Sequence, residues 1–278
     1  MSDPCRLIHI SDLHFSCLPR TAAQWFSKRG IGAANFFLMR KKDYPLHRAR
    51  LLVTTLQAME WDHLVITGDL TQLSLEEEFE LAHETLAPLL QGGAERVTIL
   101  PGNHDRYVAD PESWAAYRAR FGRFFGDSDI VTRRLTDIWW LVGWDSTRAT
   151  PPLDATGEVR RETFEATEAW MATLPANARV VVANHYPVAS PKNFSSPHLH
   201  ELINREDVFR WLRRKHVDLY LHGHVHTNWI ITVENSDHPL RLVNSASTTR
   251  NPRPDDPSSF HRIELSGEFA TIYPQHFD

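Results

Sequence analysis

The sequence predicts an α/β fold in which mixed β-sheets are sandwiched between helices. Two features predict it. Short apolar, β-branched runs alternate with segments of helical period along most of the chain, and the last stretch, of about fifty residues, keeps only the strand signal. Five polar blocks each follow one of the apolar runs: Asp12-Leu13-His14, Gly68-Asp69, Gly102-Asn103-His104-Asp105, Asn184-His185 and Gly223-His224-Val225-His226. In layered α/β folds sites form beyond the carboxyl ends of strands, where all five would fall.

Taken in order, Leu7 to Ile10 reads as a first strand, ending in the loop that carries Asp12 and His14. Leu52, Val53, Leu56 and Met59 recur at a helical period. His63 to Thr67 is a second strand. Ser74 is the expected cap of a helix running through Leu90, and Glu76, Glu77 and Glu78 suit its positive N-terminus. Val97 to Leu100 is a third strand. Strands are then expected near Ile130 to Leu135 and Ile138 to Val142, a helix over Arg160 to Met171, and a strand over Arg179 to Ala183. A helix over Asn204 to Lys215 leads to a strand over Val217 to Leu221. Trp229 to Val233, Leu240 to Val243, His261 to Leu265 and Phe269 to Tyr273 complete the strands, the last two joined by Ser266-Gly267. Pro151-Pro152 and Pro252 to Pro257 read as loops rather than linkers, and there is no internal repeat. Residues 1–278 are therefore expected to form one domain.

A hydrophobic content of 42% and a charged content of 23% exclude a disordered or fibrous chain. Cys5 and Cys17 are too few for a disulfide framework. No apolar stretch approaches the roughly 18 residues of a membrane span, and Met1 to Cys5 is no secretory core. A cytoplasmic protein is expected, with peripheral contact at the inner face of a membrane left open. The net charge of −5 is uneven: Phe15 to Arg50 holds eight basic residues and one acid, a local +7 against −12 for the remainder. Such a block suits an anionic substrate or surface. The acidic remainder argues against a stable nucleic-acid complex, and nothing indicates an obligate protein partner.

The five blocks offer carboxylate, imidazole and carboxamide donors. Asp12 and His14 are two residues apart, so on an extended segment both would face one side and grip one ion. Asp69, beside a glycine, can offer one oxygen to each of two metals. Asn103 gives a carbonyl oxygen and His185 a nitrogen, and His224 and His226 could serve either ion. Gly68, Gly102 and Gly223 are read as permitting tight turns and leaving room beside the metals. Mixed nitrogen and oxygen donors suit Mn, Fe or Zn better than Mg or Ca, with Mn favoured. A paired-metal site narrows the chemistry to a few hydrolytic reactions. His9 and His222 alternate with core positions and read as structural; His198 and His200 could border substrate.

In this order and at these strand ends, the blocks resemble the calcineurin-like metallophosphoesterase family from Asp12 to His226. The resemblance implies a four-layer αββα sandwich of two mixed β-sheets flanked by helices, around two divalent metal ions. It places Asp12, His14, Asp69 and His226 on the first metal, and Asp69, Asn103, His185 and His224 on the second. It also implies that His104 acts as the proton donor or stabilises the transition state, with Asp105 orienting it. Arg106 is a candidate phosphate contact.

An insertion at about residues 15–45 mixes Trp25, Phe26, Phe36, Phe37, Leu38 and Met39 with Lys28, Arg29, Arg40, Lys41 and Lys42. Thr21 would cap a short helix ending near Gly30, and a second would run from Ala33 to Lys41. The insertion starts one residue after His14, at the rim of the site, as lids and binding loops do. Trp25, Phe26, Phe37 and Arg40 are its candidate substrate contacts. Aromatics beside cations suit an anionic lipid surface or an amphipathic substrate, and equally an ordinary amphipathic helix. The segment Phe26-Ser27-Lys28-Arg29-Gly30 through Phe36-Phe37, with Arg40-Lys41-Lys42, is similar to the insertion of chlamydial-type UDP-diacylglucosamine pyrophosphatases. That resemblance implies cleavage of a lipid-linked nucleotide at a membrane surface, in lipid A biosynthesis. His104 separates the chain from another branch of lipid A pyrophosphatases, in which arginine commonly stands there. The expected activity is hydrolysis of a phosphodiester or pyrophosphate, favouring a lipid-linked nucleotide. A soluble cyclic-nucleotide phosphodiesterase is the alternative, because Gly68-Asp69-Leu70-Thr71 and Leu100-Pro101-Gly102-Asn103-His104-Asp105 resemble that subgroup too. A scaffold that only binds partners is the third reading, against which the complete ligand set argues.

Overall fold

Side-chain alternation along the strands sorts this chain into layers. A computed structural model describes residues 4–35, 43–192, 194, 200–234, 238–245, 248–253 and 257–277. One sheet holds β1 (Cys5–Ile10), β2 (His63–Ile66), β3 (Val97–Ile99), β10 (Ser259–Ser266) and β11 (Phe269–His276), in the order β11-β10-β1-β2-β3. The other holds β4 (Ile130–Arg134), β5 (Trp139–Trp144), β6 (Arg179–Ala183), β7 (Leu219–His222), β8 (Trp229–Val233) and β9 (Leu240–Asn244), in the order β4-β5-β6-β7-β9-β8. Pairs β1–β2, β2–β3, β5–β6, β6–β7 and β7–β9 are parallel, and the remaining pairs are antiparallel.

Leu7 and Val65 from the first sheet meet Leu141, Val181, Ala183, Leu219, Leu221 and Val243 from the second in one buried cluster. Their neighbours point the other way. Ile8, Ile10, Leu64 and Ile66 pack against α3 (Leu46–Gln57), α4 (Glu76–Leu90) and α6 (Pro111–Phe125). Val142, Val180, Val182 and Tyr220 pack against α7 (Arg161–Met171) and α8 (Arg205–Arg214). The result is the expected four layers, helices on sheet on sheet on helices. Burying each such Val, Leu or Ile is worth roughly 1.5–3 kcal/mol, so both faces of each sheet contribute.

The structure departs from the sequence reading at several elements, among them the one-turn helix α5 (Gly93–Arg96), which was not expected. Helix α6 was not expected, although Asp110-Pro111-Glu112 carries its signal: the Asp110 side chain accepts the Glu112 N–H and Pro111 opens the helix. Ser74 does not cap α4. It has φ +59° and donates its hydroxyl to the Asp105 carbonyl, while Glu78 turns back to accept the N–H groups of Leu73 and Leu75. In the insertion Thr21 does cap a helix, α1 (Ala22–Trp25), but the second helix, α2, spans Lys28–Asn35. Phe36 to Lys42, including the candidate contacts Phe37 and Arg40, lie outside the described residues, as does His198. Among the described residues no helix is long and apolar enough to cross a membrane.

Candidate metal centre

Strands β1, β2, β3, β6 and β7 all end at one rim, so the five blocks become neighbouring loops. Backbone bonds lace them: Asp12 N–H to Gly68 O, His14 N–H to Asp69 O and Gly223 N–H to His185 O, each 3.0 Å. The backbone is not extended there, contrary to expectation. Asp12, His14, Asp69, His224 and His226 have φ of 55°, 49°, 53°, 75° and 51°. A non-glycine residue held in that region costs on the order of 1–3 kcal/mol, a cost borne where the side chains must converge. Gly68 does adopt a turn closed to other residues, at φ +101°. Gly223 acts by space alone, since a Cβ there would stand 2.2 Å from Oδ2 of Asp12.

The side chains form two groups that share Asp69. Asp12, His14, Asp69 and His226 make one, and Asp69, His185 and His224 the other, with donor atoms in each group within 4.8 Å of one another. Nε2 of His14 lies 3.0 Å from Nε2 of His226, and Nε2 of His185 lies 3.1 Å from Nδ1 of His224 and 3.0 Å from Oδ1 of Asn103. Backbone carbonyls select the inward nitrogens. Nδ1 of His185 donates to the Thr67 carbonyl (2.7 Å), and Nε2 of His224 donates to the His200 carbonyl (2.9 Å). With both rings neutral, the lone pairs of His185 Nε2 and His224 Nδ1 would face each other at 3.1 Å, an arrangement that needs a proton or a metal ion between them. Oδ1 of Asp69 accepts the His104 N–H at 2.8 Å, whereas Oδ2 is buried with no hydrogen-bond partner. Asp69 turns Oδ2 toward His14 (3.9 Å) and Oδ1 toward His185 (3.5 Å), which fits a carboxylate shared by the two groups, and the donor set fits divalent Mn, Fe or Zn.

Charge states agree with that fit. Burial opposes ionisation of Asp12 and Asp69, yet His226 beside Asp12 and His185 beside Asp69 hold both well below the usual carboxylate range. Burial pushes His14 well down and His224 down to about 3, leaving both neutral. His185 is the exception: burial disfavours its charge, but Asp69 and Asp12 outweigh that and raise it to about 9, so without an ion it holds a proton that a bound metal would displace.

Above the centre opens a cavity of about 360 Å³ lined by Asp69, Asn103, His104, His224 and His226, and also by Asp43, Tyr44, His200, Arg250 and Arg253. Sequence reasoning missed Asp43, Tyr44, Arg250 and Arg253. Tyr44 stands edge-on to His14 at 4.7 Å with its hydroxyl 3.3 Å from Nδ1 of His226. No motif marks it; its place at the end of the insertion is the only hint.

Several expected roles change. Nδ1 of His104 lies 2.7 Å from the Gln72 carbonyl, so the orienting partner is Gln72. The Asp105 carboxylate instead accepts from Gly102 N, Leu70 N, Thr71 N and the Thr71 hydroxyl, tying two ligand loops together. Arg106 lies 3.7 Å from Asp145 and over the Trp114 ring, outside the cavity lining. Trp25 donates to the Pro19 carbonyl and Phe26 is 94% exposed; neither lines the cavity. His9 is buried against Thr67 and His222 is buried in β7, both as structural residues.

A family model described as calcineurin-like phosphoesterase matches residues 5–228. This chain belongs to the calcineurin-like phosphoesterase family. It is a metal-dependent hydrolase of phosphoester bonds, and the two donor groups could hold its divalent ions. No curated protein sequence matches the chain. Among solved structures it resembles a purple acid phosphatase from yellow lupin (Lupinus luteus) seeds, with TM-score 0.59 and 13% identity over 99% of this chain and 52% of that one. It also resembles a 5′-nucleotidase precursor from Thermus thermophilus, with TM-score 0.51 and 12% identity over 99% of this chain and 55% of that one. The chain thus spans about half the length of each. The Thermus thermophilus protein TT1561 matches over 98% of this chain and 99% of its own, with TM-score 0.53 and 9% identity. At such identities the likeness is one of fold.

Proposed function

We propose that this phosphoesterase hydrolyses a phosphodiester or pyrophosphate bond with two divalent ions, Mn first among them. One observation carries the two-ion reading: the Asp69 carboxylate belongs to both donor groups, and its Oδ2 is buried with no hydrogen-bond partner. When bound, such ions lower the pKa of water and neutralise phosphoryl charge. The chain's own contribution is positional. Asp12, His14, Asp69 and His226 would hold one ion, and Asp69, Asn103, His185 and His224 the other. His104 faces the same cavity and supplies the proton. As the water oxygen bonds to phosphorus and gives its proton to solvent, the bond to the leaving oxygen breaks and its electron pair takes a proton carried on Nε2 of His104. Nδ1 keeps its hydrogen bond to Gln72 throughout, so the ring does not turn.

For the substrate, a lipid-linked nucleotide such as UDP-diacylglucosamine, met at an anionic membrane surface, is supported by the exposed Leu18, Trp25 and Phe26 of the insertion. A soluble cyclic-nucleotide or other diester is favoured by a different observation: Lys28, Arg29 and Arg48 from the basic stretch turn inward to protein partners. A Mn-supplemented screen against bis-para-nitrophenyl phosphate, cyclic AMP, UDP-diacylglucosamine and a phosphopeptide tests all of this. Diester or pyrophosphate cleavage that a chelator abolishes supports the proposal. Turnover of the phosphopeptide alone, or of none of the four with Mn, Fe or Zn, overturns it.

A further inference from the structure

The described part of the insertion does not line the cavity until Asp43, yet it reaches the proton donor from behind. Lys28 Nζ lies 4.3 Å from the centre of the Tyr107 ring and donates to the carbonyl and hydroxyl of Thr150 at 3.0 and 3.2 Å. Arg29 donates to the carbonyls of Leu73 (3.1 Å) and Ser74 (2.8 Å) and pairs with Asp110 at 3.2 Å, fixing α2 against the body. Gly32 then faces Tyr107 so closely that a Cβ would stand 2.6 Å from its hydroxyl oxygen and 2.7 Å from Cδ2 of Leu73. The same tyrosine ring lies nearly parallel to the His104 imidazole, 5.4 Å between centroids at 11°.

We propose that Tyr107 is a positioning residue for His104 and that helix α2, through Lys28 and Gly32, sets where Tyr107 stands. The Gln72 carbonyl fixes one ring nitrogen of His104, and the His14 ring stands at 89° to the imidazole with 4.9 Å between centroids. The nearly parallel tyrosine ring limits tilt of the imidazole plane and keeps Nε2 aimed at the leaving oxygen. The insertion is thereby a brace for the proton donor as well as a surface feature. This rests on the reading of His104 as the acid.

The test compares metal-loaded wild type with Tyr107→Phe, Tyr107→Leu, Gly32→Ala and His104→Ala on two diesters. One has a para-nitrophenol leaving group, which departs without a proton, and one has an aliphatic alcohol, which needs one. Tyr107→Phe keeps the ring and the wild-type rate. Tyr107→Leu and Gly32→Ala lower kcat about tenfold on the alcohol and less than about twofold on para-nitrophenol, with KM and metal content unchanged. Both also move the ring-current-shifted His104 proton resonances of the metal-free protein. Equal losses on both diesters, or unmoved His104 resonances, overturn the proposal. If Tyr107→Leu does not fold, Gly32→Ala carries the comparison. If His104→Ala shows no dependence on the leaving group, the acid assignment fails instead, and the resonances alone decide whether Tyr107 positions the ring.

Discussion

The backbone N–H of His104 donates to Oδ1 of Asp69 at 2.8 Å, so the shared carboxylate and the proposed proton donor are one hydrogen bond apart. That bond occupies one Asp69 oxygen and leaves the other without a partner. An Asp69→Asn variant can keep the bond to His104 and the fold, but it loses the charge between the two donor groups. Metal content after dialysis is expected to fall below wild type, and kcat on bis-para-nitrophenyl phosphate to fall about a hundredfold or more. Wild-type metal content with wild-type turnover would remove Asp69 from the centre.

Asp105 separates two roles that the sequence could not. Its carboxylate accepts three backbone N–H groups, from Gly102, Leu70 and Thr71, and it is fully buried. Asp105→Ala strands those donors, and each buried unpaired donor costs about 1–3 kcal/mol. A loss of about 3 kcal/mol or more in urea denaturation is expected. A stable variant whose only defect is kcat would return Asp105 to orienting His104.

Glu78 gives the pH dependence. Burial pushes its carboxyl up from 4.5 to about 8, against the opposing hydrogen bonds from the N–H groups of Leu73, Cys17 and Leu75 and the charge of Arg29. Between those values the folded chain holds a proton that the unfolded chain has released. Its contribution to stability is therefore full below about pH 4.5, declines as pH rises through about 8, and is constant above. Glu78→Gln should show less loss of urea stability than wild type between about pH 5 and 8, in the window that those values define. Parallel curves for the two proteins would contradict the assignment.

Leu18, Trp25 and Phe26 are 53%, 45% and 94% exposed, so replacing all three with serine should change stability little, within about 0.5 kcal/mol per site. The membrane-surface reading predicts that cosedimentation with anionic vesicles and turnover of UDP-diacylglucosamine both drop, while the small nitrophenyl diester is still cleaved. Unchanged turnover of the lipid substrate would leave the soluble diester reading standing.

Much of the metal centre was legible because chemistry restricts it. Asp, His and Asn after apolar runs are few, and the two donor groups contain every aspartate and histidine expected as a metal ligand, with Asn103 joined through His185. The local geometry was not legible. Two residues apart suggests an extended pair, but Asp12 and His14 are both left-handed, because loop hydrogen bonds to Gly68 and Asp69 override local preference. The surroundings of His104 were hidden for another reason. Gln72 acts through its backbone carbonyl, which every residue has, and Tyr107 acts through a stack that only the packing of α2 reveals. In the fold, α6 was legible yet unread, since Ala116, Tyr117, Phe121 and Phe124 recur at a helical period after the Asp110-Pro111 start.

Arg253 is where substrate choice can be measured apart from catalysis. It lines the cavity, exposed at its mouth, and pairs with Asp43 at 3.0 Å. With 55% of its side chain exposed, that pair is worth little to stability, so Arg253→Met should fold as wild type does. A guanidinium keeps donors to spare after one carboxylate contact, and a second phosphate of a pyrophosphate substrate would meet them. The variant should raise KM about tenfold for a pyrophosphate-containing nucleotide, an amount typical of one charge-assisted contact, with kcat unchanged. For an uncharged-tailed diester such as bis-para-nitrophenyl phosphate, KM should stay within about twofold. A drop in kcat on both substrates would instead mean that Arg253 acts on the reacting phosphoryl group, because a contact made equally in ground and transition states cannot lower kcat.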